Sequence, residues 1–128
     1  MRERVSGTTI MQYVSVAAAL LALNVVAANA ADVEHGRELF KACAACHNDQ
    51  PGALGPSLKG VVGRKAAALD NFRYSGPMLR ANLVWTPENL HAYIADPQGK
   101  VKGNRMPYGG VSDPKDVDDI IAYLKVLK

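Results

Sequence analysis

The sequence Cys43-Ala44-Ala45-Cys46-His47 decides how this chain of 128 residues is interpreted, because it contains both of the cysteines. Two cysteines separated by two residues and followed directly by a histidine form the C-x-x-C-H pattern of covalent c-type haem attachment. If the segment is helical, the two thiols lie three positions apart on one face, where they can bond to the two vinyl groups on one porphyrin edge. His47 then follows at a position from which its imidazole can bind the iron. The motif therefore predicts one covalent haem c, held by Cys43 and Cys46 and ligated by His47.

Three other uses of a cysteine pair agree less well with the sequence. A thioredoxin-like motif is expected within a βαβ unit, and no strand-like runs flank this pair. A structural disulfide between Cys43 and Cys46 would leave His47 without a role. A structural zinc site needs four donors, and the other two histidines, His35 and His91, belong to no ligand-like cluster. Haem attachment is therefore the favoured hypothesis.

A second axial iron ligand is predicted at Met106. This residue lies in the stretch Gly103–Gly110, which is rich in glycine and proline and so indicates an extended loop. A thioether on such a loop can approach the iron from the side opposite His47. Packing is the usual role of a methionine, but no apolar periodicity surrounds this one.

The remaining candidate ligands are assigned other roles. Met78 follows Pro77 in what resembles the start of a short helical turn, and we interpret it as a packing residue. His35 is interpreted as a solvated residue that precedes the first helix. His91 lies within a predicted helix at Thr86–Asp96 and is kept as a minority alternative to Met106.

The beginning of the chain has the pattern of a secretory signal peptide at residues 1–30. A basic start is followed by a short apolar run at residues 14–23 and by a small-residue A-x-A site at residues 28–30. We expect cleavage after Ala30 and export of residues 31–128 to the periplasm. The alternative is a retained membrane anchor, although a spanning helix needs about 20 apolar residues.

Length and charge exclude other classes of protein. The chain has 15 Lys and Arg against 12 Asp and Glu, a formal net charge of +3, which is too small an excess for a nucleic-acid-binding protein. Its length suits one domain. Aromatic residues make up only 6% of the chain, and a small domain benefits from a cofactor that completes its core.

Helical patterns separated by loops predict an all-α fold. The predicted segments are a helix from Asp32 to about Cys46, a loop at 51–56, a helix that starts at Thr86 and stops before Pro97, and a last helix that starts at Asp113-Pro114. The last helix carries an apolar stripe formed by Val117, Ile120, Ile121, Leu124 and Leu127. Asp116, Asp118 and Asp119 are interpreted as charges that favour its N-terminal end. Gly36 is expected to allow close approach of the first helix near Tyr123.

From about Asp32 to Lys128 the chain resembles the class I c-type cytochromes. The resemblance rests on the haem motif, on Met106 and on Gly36, Phe40, Gly55-Pro56-Ser57-Leu58, Gly63-Arg64-Lys65 and Ile121-Ala122-Tyr123-Leu124. It implies a small cytochrome c fold, in which helices and long loops wrap around one covalently attached haem. Two departures are Asn104, where eukaryotic members usually have threonine, and Met78, where they often have asparagine.

The resemblance also implies roles for further residues. The Pro56 carbonyl is expected to accept a hydrogen bond from the ring of His47. Arg64, Tyr74 and Trp85 are expected near the haem propionates. Tyr93 is expected beside the distal methionine.

The function implied is one-electron transfer by a carrier that is not an enzyme, since both axial positions are filled. The expected partners are membrane oxidoreductase complexes, an oxidase, a photosynthetic reaction centre or a periplasmic dehydrogenase, with no nucleic acid and no stable membrane insertion after cleavage. The protein is expected to act as a monomer.

Six basic side chains have two interpretations, a basic docking rim or ordinary solvated charges. They are Lys41, Lys59, Lys65, Lys100, Lys102 and Arg105. The alternative functions are a membrane-anchored cytochrome c and a haem subunit of a periplasmic oxidoreductase complex.

Overall fold

The structure is a computed structural model that describes residues 30–128. Within these residues the chain forms five helices joined by long loops. They are α1 (Val33–Ala44), α2 (Gly76–Arg80), α3 (Pro87–Ala95), α4 (Pro97–Lys100) and α5 (Pro114–Val126). The same residues contain no strand, only an isolated antiparallel bridge between Lys65 and Val84. The predicted all-α fold is therefore confirmed.

Residues Ala31–Lys128 form one compact unit. The predicted signal peptide at residues 1–30 lies, except for its last residue, outside the described residues. Within residues 30–128 no helix is both long enough and apolar enough to cross a bilayer.

Three helices begin at the caps that the sequence predicts. The Asp32 side chain accepts hydrogen bonds from two backbone N–H groups at the start of α1. Thr86 and Asp113 do the same, with one bond each, for α3 and α5, and each cap is followed directly by a proline. These side chains satisfy N–H groups that have no partner within the helix.

The end of α1 differs from the prediction. The helix stops at Ala44 rather than near Cys46, and the backbone N–H groups of Cys46 and His47 both donate to the Cys43 carbonyl in the turn that follows. Only the first cysteine of the motif is therefore helical, and the second lies in the tight turn that follows. A further short helix, α4, was not predicted. It begins at Pro97 because the Asp96 carboxylate accepts a hydrogen bond from the N–H of Gly99 at 3.0 Å.

The core forms where α1 crosses α5, the two helices nearest the ends of the described chain. A Cβ atom on Gly36 would lie 1.9 Å from the backbone oxygen of Asp119. The predicted close approach is confirmed, but it occurs at Asp119 and Ile120 rather than at Tyr123. Tyr123 instead packs against Phe40, with ring centroids 5.1 Å apart. The largest buried side chains of the core are Phe40, Trp85, Leu90, Tyr93, Ile120, Ile121 and Leu124.

A buried carboxylate joins the same two helices. Asp119 is only 1% exposed and accepts hydrogen bonds from the backbone N–H of Asp32, the ammonium of Lys115 and Nδ1 of His35. These bonds, that from Lys115 above all, hold the pKa of Asp119 well below its usual range. Asp119 is therefore a buried acceptor as well as one of the charges near the N-terminal end of α5. The predicted exposure of His35 is confirmed, but its predicted place before the first helix is wrong, since it lies inside α1 and is bonded to α5.

Candidate functional site

A cavity of about 1110 Å³ opens between the end of α1, the loops and α3. It is slightly larger than typical pockets for small molecules, which measure roughly 300–1,000 Å³. All nine residues that the sequence analysis selected line it: Cys43, Cys46, His47, Pro56, Arg64, Tyr74, Trp85, Tyr93 and Met106. They come from segments up to 63 positions apart in the sequence, and the fold brings them to one place.

The two cysteines lie on the cavity wall as free, half-buried thiols. Cys43 belongs to the last turn of α1, and Cys46 belongs to the following turn. Burial raises the pKa of the Cys43 thiol. The two sulfurs are not bonded to each other, so the structure does not contain the structural disulfide that was the alternative.

The ring of His47 is held from two sides. Its Nδ1 lies 2.6 Å from the carbonyl oxygen of Pro56, and the N–H of Gly55 donates to the carbonyl of Cys46 at 3.0 Å. A Cβ atom on Gly55 would lie 2.5 Å from Cε1 of the ring, so only glycine allows this approach. Since Nδ1–H donates to Pro56, Nε2 is the ring nitrogen left to bind a metal.

Met106 lies on the loop between α4 and α5, where its side chain packs against the core and lines the cavity. Its N–H donates to Oδ1 of Asn104 at 2.8 Å, and its carbonyl accepts from the N–H of Tyr108 at 2.9 Å. The position of the thioether is therefore determined by a structured loop. The predicted packing role of Met78 is confirmed, since it contacts the core while also lining the cavity.

Two buried aromatic residues form the inner wall of the cavity. The rings of Trp85 and Tyr93 are tilted against each other, with centroids 4.9 Å apart. Burial raises the pKa of the Tyr93 phenol to about 12. The phenol is a hydrogen-bond donor on a residue that lines the cavity. Tyr74 lies nearer the surface, where its hydroxyl accepts from the N–H of Leu69 at 3.4 Å.

Arg64 stabilises the loop that follows the haem motif by binding two of its backbone carbonyls. Its guanidinium donates to the carbonyl of Ser57 at 2.7 Å and to that of Lys59 at 3.0 Å. These bonds fix a positive charge at the cavity wall. Lys59 in turn pairs with Asp49, with the ammonium nitrogen 3.2 Å from the carboxylate oxygen.

Two histidines that were considered as ligands do not line the cavity. His91 lies on α3, where Nε2 is 3.5 Å from Oδ1 of Asp118 on α5. His35 is bound to Asp119, as described above. The structure thus brings His47 and Met106 together on one cavity and leaves the other two histidines outside it.

Sequence reasoning missed the part played by Asn104. This residue is 8% exposed, and its carboxamide bonds to three backbone groups around the loop that carries Met106. Its place two residues before Met106 was the available signal, but asparagine in a glycine-rich segment usually indicates only a turn.

The residues present agree with one covalently attached haem. The cavity offers two thiols on adjacent turns, an imidazole whose Nδ1 is already occupied, a thioether, and a wall of buried aromatic rings. This donor set matches the C-x-x-C-H attachment pattern and the His/Met ligation of electron-carrying haem proteins.

Comparisons with known proteins agree with this geometry. The profile of the Cytochrome c family matches residues 33–128. Cytochrome c2 of Blastochloris viridis is 39% identical over 109 residues, which cover 83% of this chain and 86% of that protein. Cytochrome c2 iso-2 of Magnetospirillum fulvum is 46% identical over 90 residues, which cover 69% of this chain and 94% of that protein.

A solved structure is also similar. Cytochrome cH from Methylobacterium extorquens superposes with a TM-score of 0.71 at 46% identity, covering 74% of this chain and 98% of that one. The chain therefore belongs to the cytochrome c family, carries one covalently attached haem c and is an electron carrier rather than an enzyme.

Proposed function

We propose that this protein is a periplasmic one-electron carrier in which Cys43 and Cys46 hold the haem while His47 and Met106 bind its iron. The observation that carries the proposal is the double restraint on His47, which fixes its ring on the cavity that Met106 also lines. When bound, the haem supplies a single redox electron through the change between ferrous and ferric iron.

The residues around the cavity adjust how readily that electron is held. Met106 supplies a thioether, which favours ferrous iron and raises the reduction potential. Trp85 and Tyr93 are buried and exclude water, so an additional positive charge is less stable there. The hydrogen bond from His47 to Pro56 acts in the opposite direction, because it makes the imidazole a stronger donor.

Export and partners form the second part of the proposal. The pattern of residues 1–30 supports cleavage after Ala30 and a periplasmic protein made of residues 31–128. The similarity to cytochromes c2 supports electron exchange with membrane complexes of respiratory or photosynthetic chains. A monomeric state and a dehydrogenase as a further partner belong to the same proposal. N-terminal sequencing of the exported protein tests the cleavage, and a start at Met1 contradicts it.

Partner contact is proposed to be brief and guided by charge, as in other small redox complexes. Among the six candidate cations, Lys41 and Lys59 pair with Glu38 and Asp49. Lys65, Lys100, Lys102 and Arg105 make no ion pair among the described residues and are therefore the better candidates for the docking rim. Electron transfer to isolated membranes should slow as ionic strength rises, and a rate that ignores salt contradicts the rim.

The ligand assignment is tested on the oxidised holoprotein. Met106→Ala should abolish the sulfur-to-iron charge-transfer band, whereas Met78→Leu, which changes another methionine of the same cavity, should retain it. Retention of the band in Met106→Ala contradicts the assignment. Rapid binding of carbon monoxide to the reduced wild-type protein would instead indicate an open iron site and a catalytic haem subunit.

A further inference from the structure

We infer that Asn104 is a positioning residue for Met106, because its carboxamide clamps the loop 101–113 and so sets how readily the thioether leaves the iron. This inference rests on the proposed ligation of the iron by Met106. It assigns a role to a residue that lines the same cavity but bonds to the backbone of the Met106 loop.

The carboxamide of Asn104 uses both its donor and its acceptor on the backbone. Its Nδ2 donates to the carbonyl oxygens of Pro97 and Val101, each at 2.9 Å. Its Oδ1 accepts from the N–H of Met106 at 2.8 Å. A primary amide has two N–H donors and one carbonyl acceptor, so these three bonds employ both donors and the oxygen.

These bonds connect the loop to a buried part of the fold. Pro97 is among the fully buried side chains, and Val101 is 5% exposed. Gln98 strengthens the attachment, since its Nε2 donates to the backbone oxygen of Asn104 at 3.0 Å and its Oε1 accepts from the N–H of Gly103 at 3.1 Å. The backbone just before Met106 is thus attached to α4 from both sides.

The far end of the loop is attached to α3. The N–H of Val111 donates to the carbonyl of Ile94 at 3.0 Å. A Cβ atom on Gly110 would lie 2.1 Å from the backbone oxygen of Ala95. Met106 therefore lies between two anchors, and the Asn104 clamp is the nearer one, only two residues away.

Opening of the loop 101–113 withdraws the thioether by moving the backbone of Met106. Such a movement breaks the bond between the Met106 N–H and Asn104, and it leaves a buried carboxamide oxygen without its partner. The clamp therefore lowers the population of the open state, and an external ligand binds more weakly in proportion to that population.

The geometry also predicts which substitutions fail. Asn104→Asp keeps the shape and the acceptor, but it places an anionic oxygen against the carbonyls of Pro97 and Val101 where two donors are needed. Asn104→Ser retains at most one donor and is the milder variant. Asn104→Ala removes all three bonds.

The test is an imidazole titration of the ferric holoprotein, in which the loss of the sulfur-to-iron charge-transfer band is used to monitor binding. The Asn104→Asp and Asn104→Ala proteins should bind imidazole at least about tenfold more tightly than wild type, because the first loses the two donor bonds and the second loses all three bonds. The matched control is Asn89→Ala, which removes a carboxamide bond to the Val84 carbonyl outside the loop and should leave imidazole affinity unchanged. Equal affinity in wild type and the Asn104 variants overturns the inference.

Hydrogen exchange gives a second measurement, the first part of which needs only the wild-type protein. The Met106 amide should be protected in wild type and should exchange about tenfold faster in Asn104→Ser. An unprotected Met106 amide in wild type overturns the clamp even if the variants do not fold. If wild type lacks the charge-transfer band altogether, the proposed ligation fails instead, so the two failures are distinguishable.

Discussion

Nδ1 of His35 lies 2.8 Å from Oδ2 of Asp119, and this contact connects the first turn of α1 with a buried carboxylate of α5. The backbone N–H of Asp32 donates to the other oxygen of the same carboxylate at 2.7 Å. Because α1 ends in the haem motif, the bonds that hold this helix on α5 also hold Cys43 in place. A polar contact far from the cavity thus supports the site through the helix pair.

The contact makes the stability of the protein depend on pH. The hydrogen bond to Asp119 is the main cause that raises the pKa of His35, and the charges of Asp116 and Asp32 act in the same direction. Lys115, which also binds Asp119, is the facing positive charge. Because the pKa of His35 is higher in the folded state, its protonation stabilises the fold below the unfolded pKa of about 6.5. This contribution is lost as pH rises through the folded pKa.

His35→Gln should therefore reduce the free energy of unfolding more at about pH 5 than at about pH 8.5. Denaturant unfolding at several pH values measures the difference from wild type. His91→Gln is the control, since its 3.5 Å contact with Asp118 is longer and joins exposed groups. An effect of His35→Gln that is equal at both pH values contradicts the prediction.

Gly36→Ala should destabilise the protein, although alanine is the better helix former by roughly 1 kcal/mol. The new methyl group would lie 1.9 Å from the backbone oxygen of Asp119, and α1 would have to move away from α5. Overpacking of this kind costs about 1–3 kcal/mol, occasionally more. Thermal unfolding measures the loss.

The control for that clash is Gly109→Ala. The added Cβ atom would meet nothing within 4 Å, so stability should change little. If both alanine variants unfold at the wild-type temperature, the close helix contact is wrong.

Gly55→Ala should disturb the proximal ligand. Its Cβ atom would lie 2.5 Å from Cε1 and 2.6 Å from Nδ1 of His47, so the ring must shift and the hydrogen bond to Pro56 must weaken. A less basic imidazole stabilises ferric iron less, and the midpoint potential should rise. Redox titration against wild type and Gly109→Ala measures the shift, and an unchanged potential contradicts the restraint on the ring.

Local signals in the sequence were sufficient for much of the fold. Thr86 and Asp113 cap helices through bonds to residues two or three positions away, so each cap could be predicted without knowledge of tertiary structure. The haem motif is equally local. Cys46 was placed in the helix because the spacing gives no indication that the backbone tightens into a turn after Ala44.

Contacts between distant segments could not be predicted in this way. An aspartate near the start of a helix normally faces water, and Asp119 is buried only because the missing side chain of Gly36 lets α1 approach. Asn104 is a different case, since its partners Pro97, Val101 and Met106 all lie within seven positions of it. They meet its carboxamide only because α4, a helix that depends on the cap supplied by Asp96, is followed by a loop that folds back on it. In both cases the fold supplies the partners of a buried polar side chain.

Tyr93 gives a second pH dependence, on the alkaline side. Burial raises its pKa to about 12, whereas an unfolded tyrosine ionises at about 10. Because the pKa of Tyr93 is higher in the folded protein, the free energy of unfolding is undiminished below about pH 10. It declines between about pH 10 and about pH 12, because only the unfolded chain ionises in this range. The loss amounts to about 2–3 kcal/mol at the upper limit, since each pKa unit corresponds to about 1.4 kcal/mol.

Tyr93→Phe should remove this alkaline decline, as measured by denaturant unfolding at several pH values between about 10 and about 12. Tyr108→Phe, at an exposed ring, should retain the decline. An equal alkaline decline in wild type and Tyr93→Phe would show that the phenol of Tyr93 already ionises in the folded protein near pH 10, and that water reaches the aromatic wall of the cavity.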